Sequence, residues 1–223
     1  MRDSIIWKAA HLVVYHQVEG DYYEFGVFSG RAFINAFKAF EEIYKTATQE
    51  NMWSSHEDVV ERMRRWEKMR FIGFDSFQGL PDPRGIDDQE WGPGKGKFAC
   101  TKTHFEKNIA RNGVNMNKVT TIPGWFDDTL TPDAYRQYGL NKAAVVYIDS
   151  DMYESARTCL NFINPLLTDG TIIIFDDWYI YRGNPNMGEQ RAFREWREAH
   201  PEWTVNQYQK EGPWANSFIL NRL

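Results

Sequence analysis

Five short apolar segments recur along the chain, and each ends in acidic residues or glycine. They are DYYEFGVFSG at 21–30, RFIGFDSFQGLP at 70–81, KVTTIPG at 118–124, AAVVYIDSD at 143–151 and TIIIFDDW at 171–178. Continuous apolar runs of this length are typical of strands that are buried on both faces of a parallel sheet. We therefore predict five such strands, each followed by a loop.

Helical periodicity fills the intervals between these strands. In 31–46 and again in 153–167, apolar residues recur at spacings of three and four, which is the period of an amphipathic helix. After a last helix, GEQRAFREWREAHP, the alternating segments WTVNQYQ and NSFILNRL predict a terminal antiparallel pair. We expect an α/β fold with a doubly wound, mostly parallel seven-stranded sheet, in one domain spanning 1–223.

Two segments interrupt this regular alternation. Residues 47–69 read as a helical insertion that begins near the cap-like pair Ser54-Ser55. We expect its basic side chains to form a solvated face; they are Arg62, Arg64, Arg65 and Lys68. Residues 81–98 are too rich in glycine and proline for a helix or a central strand, and a loop of this length is usually functional. We predict a lid there.

The composition narrows the class of protein. The chain has 223 residues, of which 42% are hydrophobic and 26% charged, as in soluble globular proteins. A net charge of −5 argues against nucleic acid as a partner. Cys100 and Cys159 cannot build a disulfide framework, and no apolar run has the length of a membrane helix. We expect a cytoplasmic protein with a small-molecule partner, not bound to membrane; the sequence leaves a homo-oligomer open.

The first strand leads into a glycine turn that is a candidate cofactor site. It reads ExGxxxG, with Glu24, Gly26 and Gly30, and it opens a helix whose N-terminus a ligand can approach. A glutamate at this position repels a pyrophosphate and attracts a cation, which disfavours a nicotinamide cofactor and favours S-adenosylmethionine (AdoMet). Asp75, at the end of the second strand, can accept hydrogen bonds from the ribose. In the alternative interpretation, the two glycines only permit close packing.

Four acidic residues follow two of the predicted strands. Asp149 and Asp151 come after one strand, and Asp176 and Asp177 after another. Neighbouring carboxylates cannot all stay ionised without a counter-charge, and a purely carboxylate ligand set favours Mg²⁺, Mn²⁺ or Ca²⁺. We predict a metal site formed by Asp149, Asp176 and Asp177. Helix capping is the alternative, and for Asp151 it is as strong as metal binding.

Five stretches carry a family resemblance: GDYYEFGVFSG, GFDSFQGLPDP, GWFDDTL, YIDSDMYESA and DGTIIIFDDW. In this order they resemble the macrocin O-methyltransferase family of class I AdoMet-dependent methyltransferases. The resemblance implies that family's sandwich fold and a Mg²⁺ ion that binds the acceptor beside the cofactor. It also implies the cofactor contacts: Glu24, Gly26 and Gly30 at the methionine end, Asp75 and Ser76 at the ribose, Trp125 and Phe126 at the adenine, with Phe28, Gly124 and Asp149 also touching the cofactor.

The expected activity is Mg²⁺-dependent methyl transfer from AdoMet to a hydroxyl of a small molecule, with a sugar or vicinal diol preferred. Asp149 is the candidate base, and Asp151 and His104 are alternatives. A catechol-type enzyme is less favoured because Met152 stands where that group has a lysine. A non-catalytic AdoMet-binding protein and an NAD-dependent sugar reductase are the other rivals. Trp91 and Trp178 are expected either to pack or to form an acceptor wall.

Overall fold

A seven-stranded sheet forms the centre of the computed structural model, which describes residues 3–49, 54–83, 85–87 and 94–223. The strands are β1 (Asp21–Phe25), β2 (Phe71–Asp75), β3 (Val119–Pro123), β4 (Ala143–Ile148), β5 (Leu167–Phe175), β6 (Trp203–Glu211) and β7 (Ala215–Arg222). Their order is β3-β2-β1-β4-β5-β7-β6. Strands β1 to β5 are parallel, and β7 is antiparallel to both β5 and β6. The predicted fold class is confirmed.

Helices cover both faces of the sheet. They are α1 (Ile5–Tyr15), α2 (Arg31–Ala47), α3 (His56–Lys68), α4 (Lys102–Arg111), α5 (Phe126–Thr129), α6 (Pro132–Gln137), α7 (Tyr153–Ile163) and α8 (Gly188–Ala199). One core joins a face of the sheet to α1, α2 and α4, and the other joins the opposite face to α6, α7 and α8. Tyr22 and Tyr23 are fully buried in different cores, because successive side chains of a strand point to opposite faces.

Two local predictions need correction. The predicted helix over 153–167 ends at Ile163, because Pro165 lies in a following 3-10 turn, and β5 already begins at Leu167. Helix α1 lies in a segment that we assigned to no element. Its apolar side chains Ile5, Ala9 and Val13 are buried, at the spacing of a helix face.

The predicted insertion helix is present as α3. Ser55 caps it, since its hydroxyl accepts the N–H of Asp58 at 3.1 Å. The expectation of a solvated basic face is wrong for Arg62, which is buried and donates to the Ser54 hydroxyl at 2.8 Å and to the Ala47 carbonyl at 3.3 Å. Arg62 therefore fastens α3 to the end of α2.

The predicted lid segment 81–98 is described only in part. Its two ends pair through the backbone, where Leu80 donates to the Lys97 carbonyl and accepts from Gly96, both at 2.9 Å. Gly85–Asp87 forms a short 3-10 turn, a regular element that the composition did not predict. Trp91 lies outside the described residues. No helix in the described ranges has the length and apolarity to cross a membrane.

Candidate active site

A cavity of about 1210 Å³ opens at the carboxyl ends of β1, β2, β4 and β5. This is where ligands bind in open α/β sheets. Most of the predicted site residues line it: Glu24, Gly26, Phe28, Asp75, Ser76, Trp125, Phe126, Asp149, Asp176 and Asp177. Gly30 and Gly124 are not among its lining residues. The topology therefore brings the acidic strand ends together, as the sequence predicted.

The two glycines of the first turn are required by packing. A Cβ on Gly26 (φ +90°) would lie 1.9 Å from the Asp149 carbonyl oxygen, and one on Gly30 would lie 2.6 Å from Ile109 of α4. Gly26 thus allows the turn after β1 to contact the backbone just after β4. Gly30 allows the start of α2 to pack closely against α4. The packing interpretation explains Gly30, which has no place in the cavity wall; Gly26 lines the cavity as well. Gly124 (φ +142°) is likewise constrained by Thr129.

Glu24, next to the last residue of β1, is a buried carboxylate at the cavity. The hydroxyl of Tyr22 donates to its Oε2. Burial raises the pKa of Glu24 well above its usual value, and the nearby Asp176 and Asp75 raise it further. A cationic ligand beside Glu24 would favour the ionised form, which is the interaction expected with the sulfonium and amino group of AdoMet.

Asp75 ties together two loops at the end of β2. Its Oδ2 accepts the N–H of Phe28 at 2.9 Å and its Oδ1 accepts the N–H of Phe77 at 2.7 Å. Each carboxylate oxygen can accept a further hydrogen bond, so both remain able to bind ribose hydroxyls. Burial raises the pKa of Asp75, while the backbone hydrogen bonds oppose this shift. The side chain of Ser76 closes the next turn, accepting from Gln78 at 3.0 Å and donating to the Gly79 carbonyl at 2.9 Å.

Trp125 and Phe126 line the cavity where β3 leads into α5. Phe126 packs edge-on against Phe25 at 6.0 Å between ring centroids. An aromatic wall here suits the planar face of an adenine. Trp178, which we expected either to pack or to form an acceptor wall, packs on Phe175 and Phe218. His104, the alternative base, is on α4 and is not among the residues that line the cavity.

The acids after β4 and β5 converge on one point. One carboxylate oxygen from each of Asp149, Asp151 and Asp177 lies within 4.8 Å of the other two. Asp176 also lines the cavity, but its Oδ1 accepts a hydrogen bond from the Tyr147 hydroxyl. Asp151 thus joins two members of the predicted metal set, Asp149 and Asp177, in the cluster. Metal binding by Asp176 stays a prediction.

These carboxylates raise one another's pKa values. Burial is the largest cause of the raised pKa of Asp149, and the next largest are four neighbouring acids: Asp176, Asp177, Asp151 and Glu24. Burial and like charges raise the pKa of Asp151 to about 6 and that of Asp177 to about 8. Among the described residues, three cationic side chains line the same cavity: Lys95 pairs with Asp82, Arg157 pairs with Glu154, and Arg31 stands at the start of α2.

The cluster fits a hard divalent cation. Oxygen ligands on opposite sides of a Mg²⁺ ion lie about 4 Å apart, and those around Ca²⁺ about 5 Å apart. The three clustered oxygens lie within 4.8 Å of one another, inside the span for Ca²⁺, and they would have to close slightly around Mg²⁺. A bound cation would supply a counter-charge to these acids, whose pKa values burial and like charges raise. All three ligands are carboxylates, a donor set that suits Mg²⁺, Mn²⁺ or Ca²⁺.

Asp87 is a site residue that the sequence analysis missed. It is buried, and its two carboxylate oxygens accept the N–H groups of Tyr153 at 2.9 Å and Glu154 at 3.0 Å. Met152 is the N-cap residue of α7 and makes no side-chain capping bond. Asp87 of the lid segment accepts the free N–H groups at the start of the helix instead, so Asp151 does not take the capping role that we considered for it. No local signal marks Asp87, because its partners lie 66 and 67 residues away.

The fold and the acidic site together define a methyltransferase-type α/β sandwich, and comparisons with known proteins identify the family. The family model described as Macrocin-O-methyltransferase (TylF) matches residues 2–203. The chain belongs to this family, which confirms the resemblance seen in its motifs.

Two curated relatives match part of the chain. An 8-demethyl-8-(2,3-dimethoxy-alpha-L-rhamnosyl)-tetracenomycin-C 4'-O-methyltransferase from Streptomyces olivaceus is 33% identical over 111 residues, covering 48% of this chain and 41% of the relative. Demethyldecarbamoylnovobiocin O-methyltransferase from Streptomyces niveus is 34% identical over 113 residues, covering 47% and 40% respectively. The matched segments thus span less than half of these relatives.

Solved structures show the same architecture over nearly the whole chain. The O-methyltransferase NovP aligns with a TM-score of 0.71 at 21% identity, covering 97% of this chain and 78% of NovP. The calicheamicin methyltransferase CalS11 aligns with a TM-score of 0.70 at 22% identity, covering 96% and 76%. At these identities the likeness establishes the fold.

Proposed function

We propose that this protein transfers a methyl group from AdoMet to a hydroxyl of a small molecule, preferably a sugar or vicinal diol, and that the reaction requires Mg²⁺. The observation that carries the proposal is the cluster of Asp149, Asp151 and Asp177, whose carboxylate oxygens lie within 4.8 Å of one another and whose pKa values are raised by burial and by neighbouring acids. It lies in the same cavity as the predicted cofactor residues.

The cofactor is assigned to the half of the cavity between β1 and β3. Glu24 would face the cationic methionine end, Asp75 would accept from the ribose, and Trp125 would cover the adenine. These three lie at the ends of adjacent strands or just after them, in the order in which the parts of an extended AdoMet molecule would meet them. The part of the cavity beside the cluster of Asp149, Asp151 and Asp177 is then left for the acceptor.

Methyl transfer from a sulfonium is an in-line displacement, so alignment of the donor and the acceptor supplies much of the rate. Asp149, Asp151 and Asp177 would hold the Mg²⁺ ion. When bound, the ion lowers the pKa of an acceptor hydroxyl and fixes its position. Asp149 is the proposed proton acceptor, through the carboxylate oxygen that does not hold the ion.

The names of similar proteins support a sugar acceptor. The S. olivaceus relative is named for a rhamnosyl-tetracenomycin substrate, and a second structure of CalS11 is described as a TDP-rhamnose 3'-O-methyltransferase. The described cavity wall combines carboxylates with the exposed rings of Phe28 and Phe98. Such a surface can bind the hydroxyls of a sugar and pack against its apolar face.

The proposal is tested by measuring S-adenosylhomocysteine formation with a panel of rhamnosides and TDP-linked deoxysugars. We expect turnover with at least one acceptor in Mg²⁺, loss of turnover in excess EDTA, and recovery when Mg²⁺ is restored. Calorimetry with AdoMet and with NADH provides the control for cofactor class. Turnover that persists at full rate in EDTA, or binding of NADH in place of AdoMet, would refute the proposal.

A further inference from the structure

Glu189, in the first turn of α8, is a buried carboxylate that the proposed reaction does not use. Only 1% of it is exposed. Its Oε2 accepts the backbone N–H of Asp177 at 3.1 Å. Its Oε1 is also buried and has no hydrogen-bond partner among the described residues. An ionisable side chain in such a position is costly, so its contact with Asp177 calls for an explanation.

The start of α8 packs directly against the loops that carry the clustered acids. Gly188 adopts φ +50°, and a Cβ at this position would lie 2.7 Å from the ring of Tyr181 and 3.4 Å from the carbonyl oxygen of Asp151. Glu189, the next residue, reaches Asp177. The first turn of α8 therefore contacts the backbone of two of the three clustered acids, one through each of these residues.

The environment of Glu189 contains further acids. After burial, the groups that raise its pKa most are Asp177, Asp149, Asp176 and Asp151. If position 189 served only to pack against the backbone of Asp177, a hydrophobic side chain would do so without the free-energy cost of burying a carboxylate. The hydrogen bond from Asp177 N–H instead fixes the backbone from which the Asp177 carboxylate projects. Outer groups that orient metal ligands in this way often govern the affinity of the site.

We propose that Glu189 is a positioning residue for the metal site: by holding the N–H of Asp177, it sets the affinity of the acidic cluster for a divalent cation. This inference rests on the proposed function, since it assumes that the cluster binds such an ion. It adds a residue from α8 to a site whose proposed ligands follow β4 and β5.

The test measures Mn²⁺ binding to the 223-residue chain by electron paramagnetic resonance after EDTA treatment. Glu189→Gln keeps the length of the side chain and an acceptor oxygen but removes the charge. Glu189→Asp keeps the charge but withdraws the acceptor from Asp177. Glu198→Gln, on the exposed side of the same helix, serves as the matched control. AdoMet affinity by calorimetry and thermal melting in EDTA report on folding.

We expect Glu189→Asp to weaken Mn²⁺ binding by about 10- to 100-fold, while Glu189→Gln and Glu198→Gln bind like the wild type and all three variants retain AdoMet affinity. Equal Mn²⁺ affinity of Glu189→Asp and the wild type would overturn the inference, as would equal weakening of Mn²⁺ and AdoMet binding. If Glu189→Gln is weakened as much as Glu189→Asp, the charge and not the hydrogen bond governs affinity, and the inference is also wrong. Absence of Mn²⁺ binding to the wild type would instead refute the metal site of the proposed function.

Discussion

At the residue scale, Asp75 shows how one carboxylate can serve both the fold and a ligand. Its two oxygens already accept backbone N–H groups from Phe28 and Phe77. These contacts hold the turn after β1 and the turn after β2 in fixed relation. A ribose bound there would meet an acceptor whose position does not depend on the ligand.

We predict that Asp75→Ala weakens AdoMet binding by about 1.5 to 3 kcal/mol, because hydrogen bonds to a charged acceptor are lost. Calorimetric titration with AdoMet measures this change. Asp82→Ala is the control, since Asp82 lines the same cavity but is exposed and pairs with Lys95. Unchanged AdoMet affinity in Asp75→Ala would show that the ribose does not bind Asp75.

The clustered acids give a second prediction at this scale. Asp177→Asn should lose most of its Mg²⁺ affinity and its methyl transfer, because one of three converging ligands becomes neutral, yet it should keep AdoMet affinity. Its metal-free form should melt no lower than the wild type, since a repelling charge has been removed. A variant that melts lower in EDTA but still binds Mg²⁺ would indicate a structural network instead of a metal site.

At the element scale, the N-terminus of α7 depends on a residue from a distant loop. Asp87 caps it through two hydrogen bonds, and so the turn Gly85–Asp87 is fastened beside Asp151. Asp87 thus joins the lid segment to the start of α7, which directly follows the loop that carries Asp151. We expect a displacement of the lid segment to shift this loop through the first turn of α7.

We predict that Asp87→Ala lowers the free energy of unfolding by about 0.5 to 2 kcal/mol, the usual cost of losing an N-cap. It should also accelerate tryptic cleavage after Lys95 or Lys97, because the segment loses its anchor on α7. Urea unfolding and limited proteolysis measure these two effects. Asp133→Ala, an exposed acid outside this segment, provides the comparison; cleavage of Asp87→Ala at the rate of Asp133→Ala and the wild type would contradict an anchoring role.

Helices and strands were predictable where the local pattern of apolar and capping residues determines them. The buried runs of β1 and β4 identify central strands, and the capping pattern at Ser55 locates α3. Contacts between distant segments left no such signal: Asp87 reaches Tyr153, and Glu189 reaches Asp177. The roles of Gly30 and Gly124 depend on neighbours such as Ile109 and Thr129 that only the folded chain brings close.

At the scale of the whole molecule, the sheet order brings the acidic ends of β1, β2, β4 and β5 to one cavity. Parallel strands make this inevitable once the strands themselves are recognised, which is why the position of the candidate site was predictable. Its finer arrangement was not, because the approach of Asp151 to Asp149 and Asp177 depends on the loop conformation, in which Asp151 adopts φ +56°.

The same cluster should couple stability to pH. The pKa of Asp151 is raised to about 6 and that of Asp177 to about 8, from an ordinary value of 3.8. The folded state therefore binds more protons than the unfolded state in this range, so these groups stabilise the fold fully below about pH 4 and lose that contribution as pH rises toward 8.

We predict that the melting temperature of the metal-free protein falls between about pH 6 and pH 8 through these groups, and that Mg²⁺ raises it more at the higher pH, where the carboxylates are ionised. Thermal melting with and without Mg²⁺ measures the difference. Asp177→Asn is the control and should show a smaller effect of Mg²⁺. An equal effect of Mg²⁺ at both pH values would exclude these carboxylates as its binding site.

The central claim is that Asp149, Asp151 and Asp177 form one divalent cation site. The most direct measurement is the stoichiometry of Mn²⁺ binding to the EDTA-treated, AdoMet-loaded wild type, followed by electron paramagnetic resonance, with Asp149→Asn in parallel. The account predicts saturable binding of one Mn²⁺ per chain that Mg²⁺ displaces and that Asp149→Asn loses. Absence of saturable binding in the wild type, or equal binding in Asp149→Asn, would contradict it.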